Sequence, residues 1–161
     1  MAAHRATVNV SASVLPDDMK ASIGGTIVYD LNDIGSANKW IYFSNNVSTT
    51  AQPIMADGVS FLAGDAGDET AVLDADTDDL GFLVLKHSGF QGDGTTASTD
   101  NLYLNIEHGK AASGGAEDLI LEPGDVWWGR FVHSDIDDIS VDAASNTIKL
   151  LIYAVIDDGG V

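Results

Sequence analysis

Short segments of alternating apolar and polar residues recur along this chain, and clusters of Gly, Asp and Ser separate them. In the segment LYLNI, for example, Leu102, Leu104 and Ile106 alternate with Tyr103 and Asn105. Successive side chains of a β-strand point to opposite faces, so this period of two predicts strands that bury one face. Of the 25 acidic residues, 21 are Asp, a residue that favours turns over helices. The pattern therefore predicts a β protein with its acidic groups between the strands.

Segments of this kind predict about nine or ten strands, and turn residues bound each of them. Helices are not expected, because no window shows apolar residues at the i, i+3, i+4, i+7 spacing over three turns. We expect an all-β chain with minimal helix, folded as a single-domain antiparallel β-sandwich over 1–161 with a short N-terminal arm over about 1–12. The predicted strands cover 5–13, 25–31, 39–45, 69–75, 81–87, 101–108, 118–124, 126–132, 139–141 and 147–157.

The charge of the chain is strongly one-sided, with seven basic residues against 25 acidic ones and a formal net charge of -18. Such a field repels the phosphates of nucleic acid and anionic lipid headgroups, so neither is an expected partner. Cysteine is absent, which excludes disulfides. The first residues lack a basic segment followed by an apolar one, so we expect a soluble protein without a signal peptide.

One acidic segment, DADTDDLG, partly resembles a calcium-binding loop. Asp74, Asp76 and Asp78 stand at its first, third and fifth positions, where carboxylate oxygens suit a hard cation. The sixth position is Asp79 rather than Gly, the twelfth is Leu85 rather than Glu, and a strand follows instead of a helix. These three aspartates are therefore weak metal candidates, and a solvated acidic turn is the main expectation. We expect no cofactor.

No arrangement of residues indicates a catalytic centre. A glycosidase needs two converging carboxyl groups, and only Glu107 and Glu122 lie inside apolar segments, with nothing to bring them together. The four histidines have no metal-ligand spacing and are expected at strand ends as ordinary imidazoles: His4, His87, His108 and His133. We therefore expect a protein that is not an enzyme.

Candidate partner-binding residues come from two segments. Trp127 and Trp128 are adjacent in a predicted strand, so one should enter the core and the other should face outward, near Arg130. Interfaces are enriched in Trp, Tyr and Arg, although an outward Trp also suits sugar stacking. The second segment is the N-terminal arm, which can add a strand to a neighbouring sheet through main-chain hydrogen bonds. Its candidates are Arg5, Val8 and Val10.

The final third of the chain resembles the ending of small all-β structural proteins of tailed-bacteriophage virions. The likeness covers about 45 of the 161 residues. It consists of an apolar strand, a turn formed by Pro123, Gly124 and Asp125, a Trp-rich strand, a short strand, and the long apolar strand that ends in IDDGG. The resemblance implies a jelly-roll or related sandwich that acts within a virion assembled in the host cytoplasm.

Three functions are therefore open at this point. The first is a head decoration or cement protein that binds the major capsid protein or other virion proteins, with a homo-oligomer such as a trimer as one open state. The second is a neck or tail component of the virion. The third is a carbohydrate-binding β-sandwich that uses an exposed Trp.

Overall fold

The computed structural model describes residues 5–14, 21–30, 38–55, 60–63, 69–72, 78–106, 117–131, 135 and 138–158. These residues contain no α-helix, so the all-β prediction is confirmed. Twelve strands lie in them. The strands are β1 (Arg5–Val14), β2 (Ala21–Asp30), β3 (Asn38–Val47), β4 (Gln52–Pro53), β5 (Ser60–Ala63), β6 (Glu69–Val72), β7 (Asp78–Gln91), β8 (Leu102–Asn105), β9 (Leu119–Leu121), β10 (Val126–Arg130), β11 (Ser140–Ala143) and β12 (Ile148–Asp158).

The chain divides into two compact units, residues 1–36 and 37–161. In the first unit, β1 and β2 pair antiparallel along ten residues each. The second unit contains two four-stranded sheets, which we name sheet I, with strand order β10-β7-β12-β3, and sheet II, with order β4-β11-β8-β9. It also contains the hairpin of β5 and β6.

Strand pairing in the second unit joins segments that are distant in sequence. β3 pairs with β12, β4 with β11, β7 with β10 and β8 with β9, all antiparallel. Two further pairings, β7 with β12 and β8 with β11, complete the two sheets. The first and last of these eight strands therefore lie side by side, and the connection between β8 and β9 is the innermost one.

Both sheets contribute to one cluster of buried apolar side chains. Sheet I supplies Leu83 and Leu85 of β7 and Leu150 of β12, while sheet II supplies Leu104 of β8 and Val141 of β11, all 0% exposed. Full burial of one such side chain stabilises the fold by about 1.5–3 kcal/mol relative to leaving it exposed. This shared core is the main source of stability for the two sheets.

The turn between β9 and β10 links sheet II to sheet I. The Asp125 amide donates a hydrogen bond to the Glu122 carbonyl at 2.9 Å, and Gly124 has a φ of 95°. Pro at the second position and a Gly with positive φ at the third define a type II β-turn. The Pro-Gly-Asp turn expected from the sequence is therefore confirmed as a turn.

Each of the ten strand segments expected from the sequence overlaps an observed strand. The short strands β4 and β5 were not predicted, and the two four-stranded sheets contain eight of the twelve described strands. The predicted nine or ten strands therefore agree neither with the twelve described strands nor with the eight strands of the two four-stranded sheets.

Candidate functional site: the outer face of sheet I

The side of sheet I that points away from the shared core carries an unusual set of residues. Along β7, Leu83 and Leu85 enter the core, so Val84 and Lys86 point to the opposite side. Along β12, Leu150 and Ile152 enter the core in the same way. The residues in the alternate positions of the four strands form the outer face of sheet I.

One row of side chains crosses the whole outer face. Trp128 of β10 pairs with Val84 of β7, Val84 pairs with Tyr153 of β12, and Tyr153 pairs with Tyr42 of β3. Tyr42 is 62% exposed, and the other three side chains are half-buried. Adjacent strands lie about 4.8 Å apart, so the row is about 14 Å long and contains three aromatic rings. We name this row and the exposed positions beside it the aromatic face.

A second row on the same face is formed by Val126, Lys86, Leu151 and Ser44. Val126 is 55% exposed, Lys86 and Ser44 are exposed, and Leu151 is half-buried. This row continues the apolar surface and adds one positive charge beside it.

The third row marks the limit of the aromatic face. In this row Arg130 of β10 pairs with Phe82 of β7, and Phe82 pairs with Val155 of β12. Arg130 is exposed, whereas Phe82 and Val155 are 1% and 0% exposed. Neither of these two buried residues belongs to the shared core. The rest of the chain therefore covers the outer face at this end. The accessible part begins with Arg130 and the Trp128 row and extends toward Lys86.

Positive charge is concentrated on this face. Lys86, Arg130 and Lys149 occupy outward positions of three strands, and they are three of only seven basic residues in the chain. The Lys149 side chain runs along the turn at Gly94, and its Nζ lies 3.2 Å from the point that a Cβ on residue 94 would occupy. None of the residues in the three rows is acidic. The three rows are thus basic and aromatic, and beyond them the register of β12 and β7 continues to Asp157 opposite Asp79.

The two adjacent tryptophans point to opposite sides of the sheet, as the alternation predicted. Trp127 packs against the shared core and against Phe131, with ring centroids 6.1 Å apart. Its indole covers Gly129, where a Cβ would lie 2.7 Å from the ring. Trp127 therefore packs toward the interior, whereas Trp128 and Arg130 lie on the aromatic face, and partner binding by these three residues stays a prediction.

Tyr153 lies in the middle of the aromatic row. Partial burial raises the pKa of its phenol above the usual 10.0, because desolvation penalises the charged form. The phenol is therefore neutral at physiological pH. A neutral ring suits contact with another apolar surface.

The other predicted contact residues lie in the first compact unit. Arg5, Val8 and Val10 are positions of β1 opposite Asp30, Ile27 and Gly25 of β2. Their segment, expected as an arm, is thus a strand of a hairpin over residues 5–12. One of its two edges is already used by β2.

Of the three metal candidates, one lies within the described residues. Asp74 and Asp76 lie outside them, and Asp78 is the first residue of β7 and only 3% exposed, so the expected solvated turn is wrong for Asp78. Within the residues that the structure describes, no group of three or more His, Asp or Glu side chains could hold a metal ion.

His87 is buried within β7 rather than at the end of a strand, which corrects the expectation. Its Nδ1 accepts a hydrogen bond from the Gly89 amide at 3.0 Å, so its Nε2 carries the proton and lies 2.9 Å from the Asp100 carbonyl. The predicted strand stopped at residue 87, whereas β7 continues to Gln91. His4, His108 and His133 lie outside the described residues.

The Asp100 carboxylate joins two loops beside His87. It accepts hydrogen bonds from Ser145 Oγ at 2.7 Å and Asn146 Nδ2 at 2.5 Å, and these bonds lower the pKa of the Asp100 carboxyl. Although His87, Asp100 and Ser145 are neighbours, the imidazole bonds to a main-chain carbonyl and not to the hydroxyl. The group holds loops together and has no activated nucleophile.

Glu122, one of the two carboxylates considered for hydrolysis, lies in the exposed turn before β10. Its amide donates a hydrogen bond to the Asp125 carboxylate at 3.0 Å. Glu107 lies outside the described residues.

Comparison with known proteins gives no relative: no protein-family model matches the chain, and no curated protein matches its sequence. None of the described segments is a helix long and apolar enough to cross a membrane.

Proposed function

We propose that this chain is a virion structural protein, specifically a head decoration or cement protein that binds and stabilises an assembled capsid. Its partners are the major capsid protein or other virion proteins, and its place is the virion. The observation that carries the proposal is the aromatic face, a surface of Trp128, Tyr153 and Tyr42 on the four-stranded sheet I. Such aromatic and Arg-containing surfaces are typical of protein interfaces.

The proposed fold is a jelly-roll sandwich, and the strand pairing supports it. Numbered from one to eight in chain order, the strands of the two sheets follow the orders 6-3-8-1 and 2-7-4-5. The chain is arranged as one long hairpin, in which the first strand pairs with the eighth, the second with the seventh, the third with the sixth and the fourth with the fifth. Successive pairs lie alternately in sheet I and sheet II. Jelly rolls of eight strands occur in viral capsid proteins and in lectins.

A non-catalytic role agrees with how the chain uses its polar groups. Asp93, Asp100 and His87 accept or donate hydrogen bonds that hold turns and loops. Among the described residues, the exposed large apolar side chains on strands of sheet I are Tyr42, Phe90 and Val126. Recognition by contact is the function this arrangement supports best, with no cofactor required.

The test of the proposed function is a count of copies of this chain per purified particle, by quantitative mass spectrometry. Because closed assemblies repeat their subunits by symmetry, a head decoration protein would be present in on the order of hundreds of copies per particle. About a dozen copies or fewer would instead indicate the neck or tail. Absence from purified particles would refute a virion role altogether.

A matched pair of variants tests whether the aromatic face makes the contact. Trp128→Ser removes the half-buried indole from the face, whereas Ile120→Ser removes an apolar side chain that is 45% exposed on β9 of sheet II. The first variant should lower particle occupancy at least about tenfold, as expected for an interface hot spot. The second should leave occupancy unchanged.

The hairpin of β1 and β2 is the second proposed contact, through Arg5, Val8 and Val10. A two-stranded sheet alone is marginally stable, and adding a strand from a neighbour gives it main-chain hydrogen bonds. Deleting residues 1–12 should therefore lower occupancy. Unchanged occupancy of the truncated chain would count against this contact.

Carbohydrate binding is the second candidate function, because the same aromatic row could stack on the apolar faces of sugar rings. Binding of the isolated chain to immobilised polysaccharides would favour this function if it depended on Trp128 and Tyr42. A glycan binder should keep this activity without any particle, whereas a decoration protein should bind particles and no polysaccharide.

A further inference from the structure

We propose that the end of β7 is an acid-sensitive element, a β-bulge that the neutral imidazole of His87 stabilises and that protonation of this imidazole releases. The element lies outside the three rows of the aromatic face. It is therefore a property of the fold that does not depend on the proposed function.

The pairing of β7 with β12 is irregular next to His87. His87 lies opposite Leu150 and Gln91 lies opposite Ile148, so β7 takes four steps where β12 takes two. Extra residues in one strand of an antiparallel pair form a β-bulge and interrupt the ladder locally. We define the β7 bulge as residues 88–90. Ladder bonds are missing at such a place, so other groups must hold the chain there.

The His87 ring bonds to both ends of the segment that contains the bulge. Its Nδ1 accepts a hydrogen bond from the Gly89 amide at 3.0 Å, and its Nε2 donates to the Asp100 carbonyl at 2.9 Å. Gly89 has a φ of 83°, and its carbonyl accepts from the Ser98 amide at 2.9 Å. The ring thus connects the bulge with the loop that follows it.

Acceptance by Nδ1 requires a neutral imidazole. An imidazolium carries a proton on both nitrogens and has no acceptor, so protonation at Nδ1 places two N–H groups against each other at Gly89. The His87 side chain is 0% exposed, and a buried charge and an unpaired amide both cost free energy. The protonated form therefore favours an arrangement in which the ring and the bulge are open to water.

The ionisable groups of the neighbouring loop, turn and strand do not replace the lost acceptor. The Asp100 carboxylate attracts an imidazolium at His87 and so offsets part of the cost of its charge, but Ser145 already donates to this carboxylate. The Asp125 carboxylate accepts from the amide of residue 122. Lys86, the neighbour of His87 in β7, points to the other side of sheet I.

The elements on the remaining sides of His87 present apolar groups. Leu150 of β12 is its cross-strand neighbour and belongs to the shared core. In sheet II, Val141 and Ala143 of β11 enter the same core, so Asp142 between them points away from it. The opposing sheet therefore offers no carboxylate on the core side of β11 to which a protonated ring could turn.

Mild acid separates the imidazole from the carboxylates of the loop. Hydrogen bonds lower the pKa of the Asp93 carboxyl to about 2 and hold the pKa of Asp100 below its usual range, so both remain charged at about pH 5. A histidine exposed to water titrates near pH 6.5 and is protonated at about pH 5. The bonds that need a neutral ring are thus complete above about pH 7 and are lost as the pH falls from about 6.5 toward 5.

Amide hydrogen exchange of the unmodified chain, measured by NMR at about pH 7.5 and about pH 5, tests this proposal. The protection factor compares each exchange rate with that of an unstructured chain at the same pH. The protection factors of the Gly89 and Ser98 amides should fall at least about tenfold at the lower pH. The Ile54 amide, which donates to the Ile139 carbonyl at 3.0 Å, should keep its protection factor.

A non-titrating variant and a matched control assign the response to His87. His87→Asn retains an acceptor at the place of Nδ1 and cannot take up a proton, so its Gly89 amide should have the same protection factor at both pH values. His4→Asn makes the same replacement at another histidine and should respond to acid like the unmodified chain. Circular dichroism at both pH values should show that both variants are folded.

Three results would overturn the proposal. The first is equal protection of Gly89 and Ser98 at the two pH values in the unmodified chain, a measurement that needs no variant. The second is a loss of protection in acid that His87→Asn shares. The third is an equal loss at Ile54, which would indicate acid unfolding of the whole fold. None of these results alters the count of copies per particle, so the proposed function is tested separately.

Discussion

His87 holds the segment after β7 in place through both of its ring nitrogens. The side chain is 0% exposed, accepts from the Gly89 amide and donates to the Asp100 carbonyl. Gly89 has a φ of 83°, so the chain changes direction at this residue. His87→Leu places an apolar side chain of similar size at this position and removes both hydrogen bonds.

The cost of His87→Leu follows from the groups that lose their partners. A main-chain donor or acceptor left without a partner costs about 1–3 kcal/mol when buried, and the lower value applies because Gly89 and Asp100 are only half-buried. Two such groups give a loss of about 2 kcal/mol in the free energy of unfolding. At about 2–4 °C per kcal/mol for a chain of this size, the melting temperature should fall by about 4–8 °C.

Urea denaturation followed by Trp fluorescence measures this loss. Lys86→Leu is the matched control, because Lys86 precedes His87 in the same strand and is exposed, so its replacement should change the free energy of unfolding by about 0.5 kcal/mol or less. Imidazole ¹⁵N chemical shifts should show a proton on Nε2. Equal effects of the two substitutions, or a proton on Nδ1, would refute the reasoning.

Three further predictions concern a turn, a carboxylate and the core. Gly124→Ala should destabilise the chain by about 1–3 kcal/mol in urea denaturation, because the φ of 95° is unfavourable for alanine although nothing lies within 4 Å of the new Cβ. The pKa of Asp93 is lowered from 3.8 to about 2 by hydrogen bonds from the Thr96 hydroxyl and the Thr95 and Thr96 amides. Its contribution to stability is therefore complete above about pH 4 and is lost as the pH falls through about 2. The ¹³C chemical shift of the Asp93 carboxyl measures this titration, and a titration midpoint near 3.8 would contradict the prediction. Trp127→Ala should cost about 3–5 kcal/mol of unfolding free energy, since its ring packs on the core, and a cost below about 1 kcal/mol would place the ring outside it.

The strands of sheet I and sheet II were predictable because their period is local. In β8, the alternation of Leu102 and Leu104 with Tyr103 identifies both the strand and the side that is buried. β4 has only two residues, which is too short for an alternation, and in β5 the apolar residues Phe61 and Leu62 are adjacent instead of alternating with polar ones. The turn before β10 was predictable as well, since Pro followed by Gly selects its type.

The phase of β10 has a local signal in its last residue. Arg130 is charged and lies on the same side of the strand as Trp128 and Val126, so Trp128 could have been assigned to the outer side and Trp127 to the core. Which residues lie beside Trp128 depends on pairing with β7, where Trp127 lies opposite Leu85 and Trp128 opposite Val84. Register between strands that are about 40 residues apart has no local signal.

The same reason hid the aromatic row. Its members come from positions 42, 84, 128 and 153, and only the pairing of four strands brings them together. His87, by contrast, follows Leu83 and Leu85 at intervals of two, so its burial could have been predicted by continuing the alternation. The error came from ending the strand at the first polar residues, although β7 runs to Gln91.

β12 provides the strongest local sign that the outer face of sheet I is a contact surface. Strands with one solvated face alternate apolar and polar residues, whereas strands covered on both sides are apolar throughout. From Leu150 to Ile156 no residue of β12 is charged, so its outward positions Leu151, Tyr153 and Val155 are as apolar as those in the core. The rest of the chain buries Val155 completely and leaves Tyr153 and Leu151 half-buried, beside an exposed Tyr42. A strand that is apolar on both sides but covered over only part of its length supports the proposed docking role.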